Sequence, residues 1–296
     1  MESTITRSKL EIFNAHRRRL FGLAYRMLGT RDDADVALQE AYIRWHNADT
    51  GSIGNPEAWL VTVVTRLSID RLRKASAKRE TYIGPWLPEP LVADNASSPQ
   101  AEQELASSLS MAFMVMLERL SPQERAVLLL HDVFDLGYAD IANVMKKEVP
   151  AVRQMLHRAR ERVRADKARF RPDREEHRAL VERFSVAEYM ADENALLSLF
   201  SPEIAVTSDG GGKITAARKV ITGLRRVIRL FTIAVGGHAE RITHEIREIN
   251  GEPGIVEYFD GKVFATNTFE THDGKITAIY RVMNPDKLKA LEKGTG

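Results

Sequence analysis

No cysteine occurs anywhere in the 296 residues, so disulfides, thiolate zinc sites and thiol nucleophiles are all excluded. No apolar run approaches the roughly 20 residues that a bilayer span requires, and the first residues carry no apolar signal-peptide core. No two histidines stand at helical ligand spacing, so metal binding has no support, and no cofactor is expected. Charge of one sign is missing in bulk as well: 43 Lys and Arg against 41 Asp and Glu leave a net +2. These absences lead us to expect a cytoplasmic protein with no membrane contact. Its length suffices for two or three domains, each with an ordinary apolar core.

The charge that is present is segregated. From Arg66 to Arg79 there are 6 basic residues against Asp70 alone, and from Lys146 to Arg171 there are 10 against Glu148, Glu161 and Asp166. Between Gly84 and Glu118 there is no Lys or Arg, but there are Glu89, Asp94, Glu102, Glu104 and Glu118. Two basic blocks joined by an acidic connector point to two separate nucleic-acid contacts. Within the connector, Pro85, Pro88, Pro90 and Pro99 among Ser, Ala and acidic residues read as an extended linker rather than a core element.

The second basic block is a helix-turn-helix by pattern. Ser121-Pro122-Gln123-Glu124 reads as a helix start, with Ser as N-cap, Pro at the first helical position and Glu completing a capping box. That helix runs on towards a stop at Gly137. A short helix over Tyr138 to Met145 and a turn at Lys146-Lys147-Glu148 follow. From Val149, the residues Val149, Val152, Leu156, Ala159 and Val163 fall at the three-and-four spacing of one buried stripe. This leaves Arg153, Gln154, His157 and Arg158 on the opposite face, where guanidinium and amide groups can pair with guanine and adenine edges in the major groove. The bland reading of such a face is a solvated basic helix.

Ahead of this block the chain reads as three helices: one from Phe13 ending at Gly29, one over Asp33 to His46, and one started by Asn55-Pro56. Trp59 leads an apolar stripe and is read as core. Behind it the character changes. A helix around Arg178 to Ala191 and another over Ala217 to Val235 precede strand-like runs separated by Asp260-Gly261 and Asp273-Gly274, which are hairpin signals. The expected fold is therefore multidomain: two all-α domains, the second a helix-turn-helix, and then an α+β domain built on an antiparallel meander.

These segments resemble a known family. Residues from about Phe13 to Arg79 and from Leu117 to Arg164 are similar to the two domains of extracytoplasmic-function RNA polymerase sigma factors. The C-terminal third resembles the SnoaL-like, NTF2-like cone. Trp86-Leu87-Pro88-Glu89-Pro90, Asp209-Gly210-Gly211-Gly212-Lys213 and Asn284-Pro285-Asp286-Lys287-Leu288 together resemble the SigJ-type subgroup, in which the appended domain modulates the sigma factor in cis. The resemblance implies region 2 over 1–80, a linker over 81–105, region 4 over 106–171 and a regulatory SnoaL-like domain over 174–296.

Core RNA polymerase and promoter DNA are the implied partners. Carried over residue by residue, Asp33, Asp35, Gln39 and Glu40 would meet the polymerase, although Val36 stands where the family has an acid. Asn55, Arg66, Asp70, Arg71, Arg73 and Lys74 would serve the −10 element. Arg153, Gln154 and Arg158 would read the −35 element, with Lys146, Lys147 and Arg160 on phosphates. The three short motifs, from Trp86 and Pro88 to Leu288, would form the regulatory contact.

The Asp209 to Lys213 turn lacks the spacing of a phosphate loop, and Ile214 stands where a Ser or Thr would follow the Lys. Three glycines in a row permit close backbone approach, so docking is the favoured role. His238, His244, Asp209, Glu257 and Tyr258 are the groups available for acid–base chemistry, but spacing establishes no pairing among them. No catalytic residue is assigned and no enzymatic activity is expected; a small molecule in the cone is the one further candidate ligand. Two alternatives stay open from the residues alone: a ligand-sensing helix-turn-helix regulator that does not bind core polymerase, and an NTF2-like enzyme with a DNA-binding appendage.

Overall fold

The computed structural model describes residues 8–92, 110–164, 173–235 and 239–292. They form two compact units. One takes in the described residues up to Lys78 together with Leu117–Val163; the other takes in Arg79–Met116 and the described residues from Arg164 onward. Pro99, the acids at 94, 102 and 104, the Arg171-Pro172 boundary and His238 lie outside the described residues.

The first unit is all helical. Helix α1 (Lys9–Leu28) opens on a capping box made by Ser8 and Glu11 and ends at Gly29, whose φ of 80° suits a left-handed cap. It thus begins four residues before the apolar pattern at Phe13, because the cap and not the stripe sets the start. Thr30 caps α2 (Arg31–Asn47), and Asn55 Oδ1 accepts the Ala58 N–H at 3.1 Å at the head of α3 (Pro56–Arg79). Trp45 is fully buried, and the half-buried Trp59 ring lies 5.5 Å from it, which makes Trp59 a packing residue.

After α4 (Met111–Leu117), helix α5 (Pro122–Asp132) has both arms of the Ser121–Glu124 box. It stops at Val133, well short of Gly137, which is instead the N-cap of α6 (Tyr138–Met145). Lys146 turns through φ 52° into α7 (Val149–Arg164). Three polar contacts tie the front helices to this second group: Arg125 donates to the Met27 carbonyl at 2.9 Å, Arg19 to Phe134 at 3.2 Å and Arg66 to Val144 at 2.9 Å.

The second unit is a six-stranded sheet with helices on it. Strands β1 (Phe200–Asp209), β2 (Ile221–Thr222), β3 (Ile242–Ile249), β4 (Glu252–Phe259), β5 (Lys262–His272) and β6 (Lys275–Val282) lie in the order β2-β1-β6-β5-β4-β3. Only β1 and β6 pair in parallel. The β4-β5-β6 meander turns at Asp260-Gly261 and Asp273-Gly274, and all four residues have positive φ, as a two-residue hairpin of matching twist requires. Helices α8 (Arg174–Tyr189), α9 (Glu193–Leu199) and α10 (Leu224–Val235) share the core with the sheet. Phe184 sits 5.1 Å from Phe231 and 5.0 Å from Phe269, both edge on.

Two expectations need correcting here. The helix read over Ala217 to Val235 begins only at Leu224, because Ile221–Thr222 pairs with β1 and Gly223 (φ 90°) breaks the chain direction. The connector is extended in backbone but is not outside the core. Leu87 is 1% exposed in a cluster with Met111, Val282, Leu288 and Leu291, and Pro88, Glu89 and Pro90 are buried too. Its chain then meets the end of β3, where Asn250 N–H donates to the Leu91 carbonyl at 2.7 Å, Leu91 N–H to Asn250 Oδ1 at 3.0 Å, and Val92 bridges Ile249.

Candidate functional site

Helix α7 is built as its pattern implies. Val152, Met155, Leu156, Ala159 and Val163 are buried, while Arg153, Gln154, His157 and Arg158 are exposed on the other face. The Arg153 guanidinium lies 5.1 Å from the Tyr138 ring centre, a contact that holds the side chain near the turn. Lys146 is exposed and Lys147 half-buried in that turn. Arg160 is placed differently. It forks onto Asp132 and sits 3.2 Å from His131 Nδ1, and the hydrogen bond to Asp132 raises its pKa. Arg162 is likewise held by Glu124 at 2.6 Å.

On the front helices the candidates fall into two groups. Arg73, Asp70 and Lys74 are exposed on α3, with Arg73 and Asp70 paired at 3.5 Å, and Asn55 caps that helix. Arg66 and Arg71 are engaged: Arg66 donates to the carbonyls of Asn143 and Val144, and Arg71 to Glu40 at 2.6 Å. Asp33 is part of the α2 cap, its carboxylate accepting from Thr30 Oγ1 at 2.8 Å. Asp35 and Gln39 line a groove of about 400 Å³ between α1 and α2, walled by Leu10, Phe13, Leu38 and Ile43. Leu10 and Ile43 are 51% and 58% exposed there, so an apolar floor stands open beside polar groups.

In the second unit all three short motifs converge on one buried carboxylate. Asp209 closes β1 with no exposure to solvent. It accepts from Tyr82 Oη at 2.6 Å, the Leu87 N–H at 2.9 Å, Lys287 Nζ at 2.7 Å and the Gly211 N–H at 3.0 Å. Lys287 also donates to the Leu87 carbonyl, and its ammonium lies 4.1 Å from the Trp86 ring centre. Burial, and then the bond to Asp209, push the Tyr82 phenol well above its usual pKa, so it stays a donor.

Asn284 works twice. Its Oδ1 accepts the Asp286 N–H at 3.0 Å, capping α11 (Pro285–Glu292) with Pro285 in the first position, and its Nδ2 donates to Tyr82 Oη at 2.8 Å. The glycines are there for approach: a Cβ on Gly211 would lie 2.3 Å from Asn284 Nδ2, and one on Gly212 would lie 2.8 Å from Ile83 Cδ1. Lys213 pairs with Asp286 outside, and Leu288 packs under Leu87.

A second buried cluster was not legible as a group. His244 and Glu257 face each other across β3 and β4, and α8 brings Glu188 to them. Arg281 forks onto Glu257 at 2.5 and 2.6 Å, and Asn267 donates to the same carboxylate. Glu188 Oε2 lies 3.9 Å from His244 Nε2, and both atoms are buried without a partner among the described residues. Burial, and then the charge of Glu257, push Glu188 well above the usual carboxylate range, while burial lowers His244. An acid on the Val181-Phe184 stripe of α8 was the one sequence signal available.

Comparison with known proteins agrees with this arrangement. The family model for Sigma-70 region 2 matches residues 12–78, and that for Sigma-70 region 4 matches residues 110–163. The chain is 36% identical over 287 residues to the ECF RNA polymerase sigma factor SigJ of Mycobacterium tuberculosis, covering 93% of this chain and 92% of the relative. It is 29% identical over 289 residues to the probable ECF RNA polymerase sigma factor SigI of the same species, covering 96% of each. The crystal structure of M. tuberculosis SigJ matches with a TM-score of 0.77 at 34% identity, covering 95% of this chain and 98% of that one. With both helical groups matched and the cone included in the full-length likeness, the chain belongs to the extracytoplasmic-function RNA polymerase sigma factors.

Proposed function

We propose that this sigma factor meets core RNA polymerase through the α1–α2 groove with Asp33, Asp35, Gln39 and Glu40. In this reading it engages the −10 element through Asn55, Arg66, Asp70, Arg71, Arg73 and Lys74. Arg153, Gln154 and Arg158 read the −35 element, and Lys146, Lys147 and Arg160 hold phosphates beside it. The observation that carries the reading is the helix α7, whose one face is core and whose other face presents two arginines and a glutamine with no acidic partner among the described residues. Arg66, Arg71 and Arg160 must exchange their present partners for DNA, so promoter binding is coupled to loosening within the helical unit.

Control in cis runs through the connector. The segment from Tyr82 to Val92 is strapped to the cone by Asp209, Asn284 and Lys287, so anything that frees or tightens the strap changes the reach of the segment joining the two helical groups. The buried Glu188 and His244 pair is the place in the cone where a small polar ligand would act, and no catalytic step is assigned to it.

The test is run-off transcription with core polymerase, comparing full-length protein with Tyr82→Phe and Lys287→Met. Promoter-specific transcripts whose yield moves with the strap variants are the expected result. Well-folded protein that neither binds core polymerase nor supports a transcript sinks the polymerase assignment and favours a regulator that acts on DNA alone.

A further inference from the structure

Beyond the two basic blocks already described, a third run of cations lies in the cone. Between Gly210 and Ala239 the sequence has no Asp or Glu, yet it carries Lys213, Arg218, Lys219, Arg225, Arg226 and Arg229. Lys213 is engaged by Asp286. The other five are exposed, and none makes an ion pair among the described residues.

Local structure gathers them. Val227, Ile228 and Phe231 form the buried stripe of α10, which leaves Arg225, Arg226 and Arg229 on its outer side. There the spacings of three and four make them neighbours on the helix surface. Arg218 and Lys219 lead into β2, the edge strand of the sheet, and Gly223 joins β2 directly to α10. The five cations therefore follow one another along a short stretch of chain, from the approach to β2 to the outer side of α10. Like charges at this spacing repel, and an anion placed among them relieves that repulsion.

The chemistry of the anion follows from what accompanies the run. From Lys213 to Leu230 there is no aromatic side chain, so unpaired bases would find no stacking platform. Four guanidinium groups and one ammonium suit phosphate oxygens, which guanidinium meets in bidentate fashion. We propose that Arg218, Lys219, Arg225, Arg226 and Arg229 form a third contact with DNA, a sequence-independent one to the phosphates of a duplex. It rests on the reading above only in requiring that the chain works on duplex DNA.

The experiment uses the full chain and a fluorescein-labelled duplex of mixed sequence, titrated by anisotropy over a salt series. The variant Arg225→Ser/Arg226→Ser/Arg229→Ser should flatten the slope of log affinity against log salt by about 2.7, three phosphates at roughly 0.9 each, and weaken low-salt binding by on the order of tenfold or more. The matching triple Lys variant should keep the wild-type slope, which separates charge from folding. A serine variant with the wild-type slope and affinity overturns the proposal. So does unchanged duplex binding combined with weakened binding to core polymerase, because the run then faces an acidic protein surface. Arg153→Ala/Gln154→Ala, measured on promoter against scrambled duplex, tests the −35 reading separately: if it leaves discrimination intact while the serine variant lowers the slope, that assignment fails and the third contact stands.

Discussion

Lys287 reaches an almost dry interior, where its ammonium meets Asp209, the Leu87 carbonyl and the Trp86 ring. Removing one partner of a buried pair leaves the other charge uncompensated, at a cost of about 3–5 kcal/mol. Lys287→Met should therefore lower full-chain stability by that order in urea denaturation. A loss below about 1 kcal/mol, the range of exposed pairs, would contradict the buried geometry. Glu252 gives a pH prediction. Burial and the nearby Glu270, opposed by Arg174, raise its carboxyl from 4.5 to about 7. Between those values the unfolded chain has lost the proton and the native chain keeps it, so stability falls as pH rises, by no more than about 1.4 kcal/mol per pH unit. Glu252→Gln should remove that slope, read as the difference in urea midpoint between pH 5 and pH 7. At this scale the sequence marked Asp209 and Lys287 through short motifs alone; their chemistry was hidden because the partners are 78 residues apart. Glu188 was missed for the same reason, its companions lying on three different strands.

Elements with local signals were the most legible. The Ser121 box, the Asn55 cap, the Asp-Gly hairpins and the stripe of α7 all depend on contacts within a few residues, and all stand where the spacing put them. Local signals failed where pairing from a distance overrode them, as at Ile221–Thr222, taken from an expected helix by β1. For α7, Arg153→Ala should cost about 1–3 kcal/mol of discrimination at one base position, whereas Lys147→Ala should weaken all sequences alike. Competition binding on single-substituted promoter duplexes checks both. Gly211→Ala faces a φ of 61° and a Cβ only 2.3 Å from Asn284 Nδ2. It should loosen the strap, seen as faster amide exchange over 82–92, with the exchange of α5 to α7 unchanged.

For the molecule as a whole, the two compact units do not follow chain order: the helical unit is assembled from both sides of the strapped connector. If the strap carries control, Tyr82→Phe should alter transcript yield while leaving promoter discrimination as in the wild type, because Tyr82 touches no candidate base-reading residue. A change in discrimination would place Tyr82 in promoter reading instead. Among the described residues no helix is long and apolar enough to cross a membrane. What the sequence determined by itself were most of the helices, the Ser121 and Asn55 caps, the meander and the family, since these rest on short-range spacing and on motifs that survive as strings. Only the tertiary structure decided that the acidic connector is partly core, that Arg66, Arg71 and Arg160 already hold protein partners, and that three motifs close on one carboxylate. Those outcomes depend on which distant groups share a buried space, and burial sets the worth of a charge more than its place in the chain does.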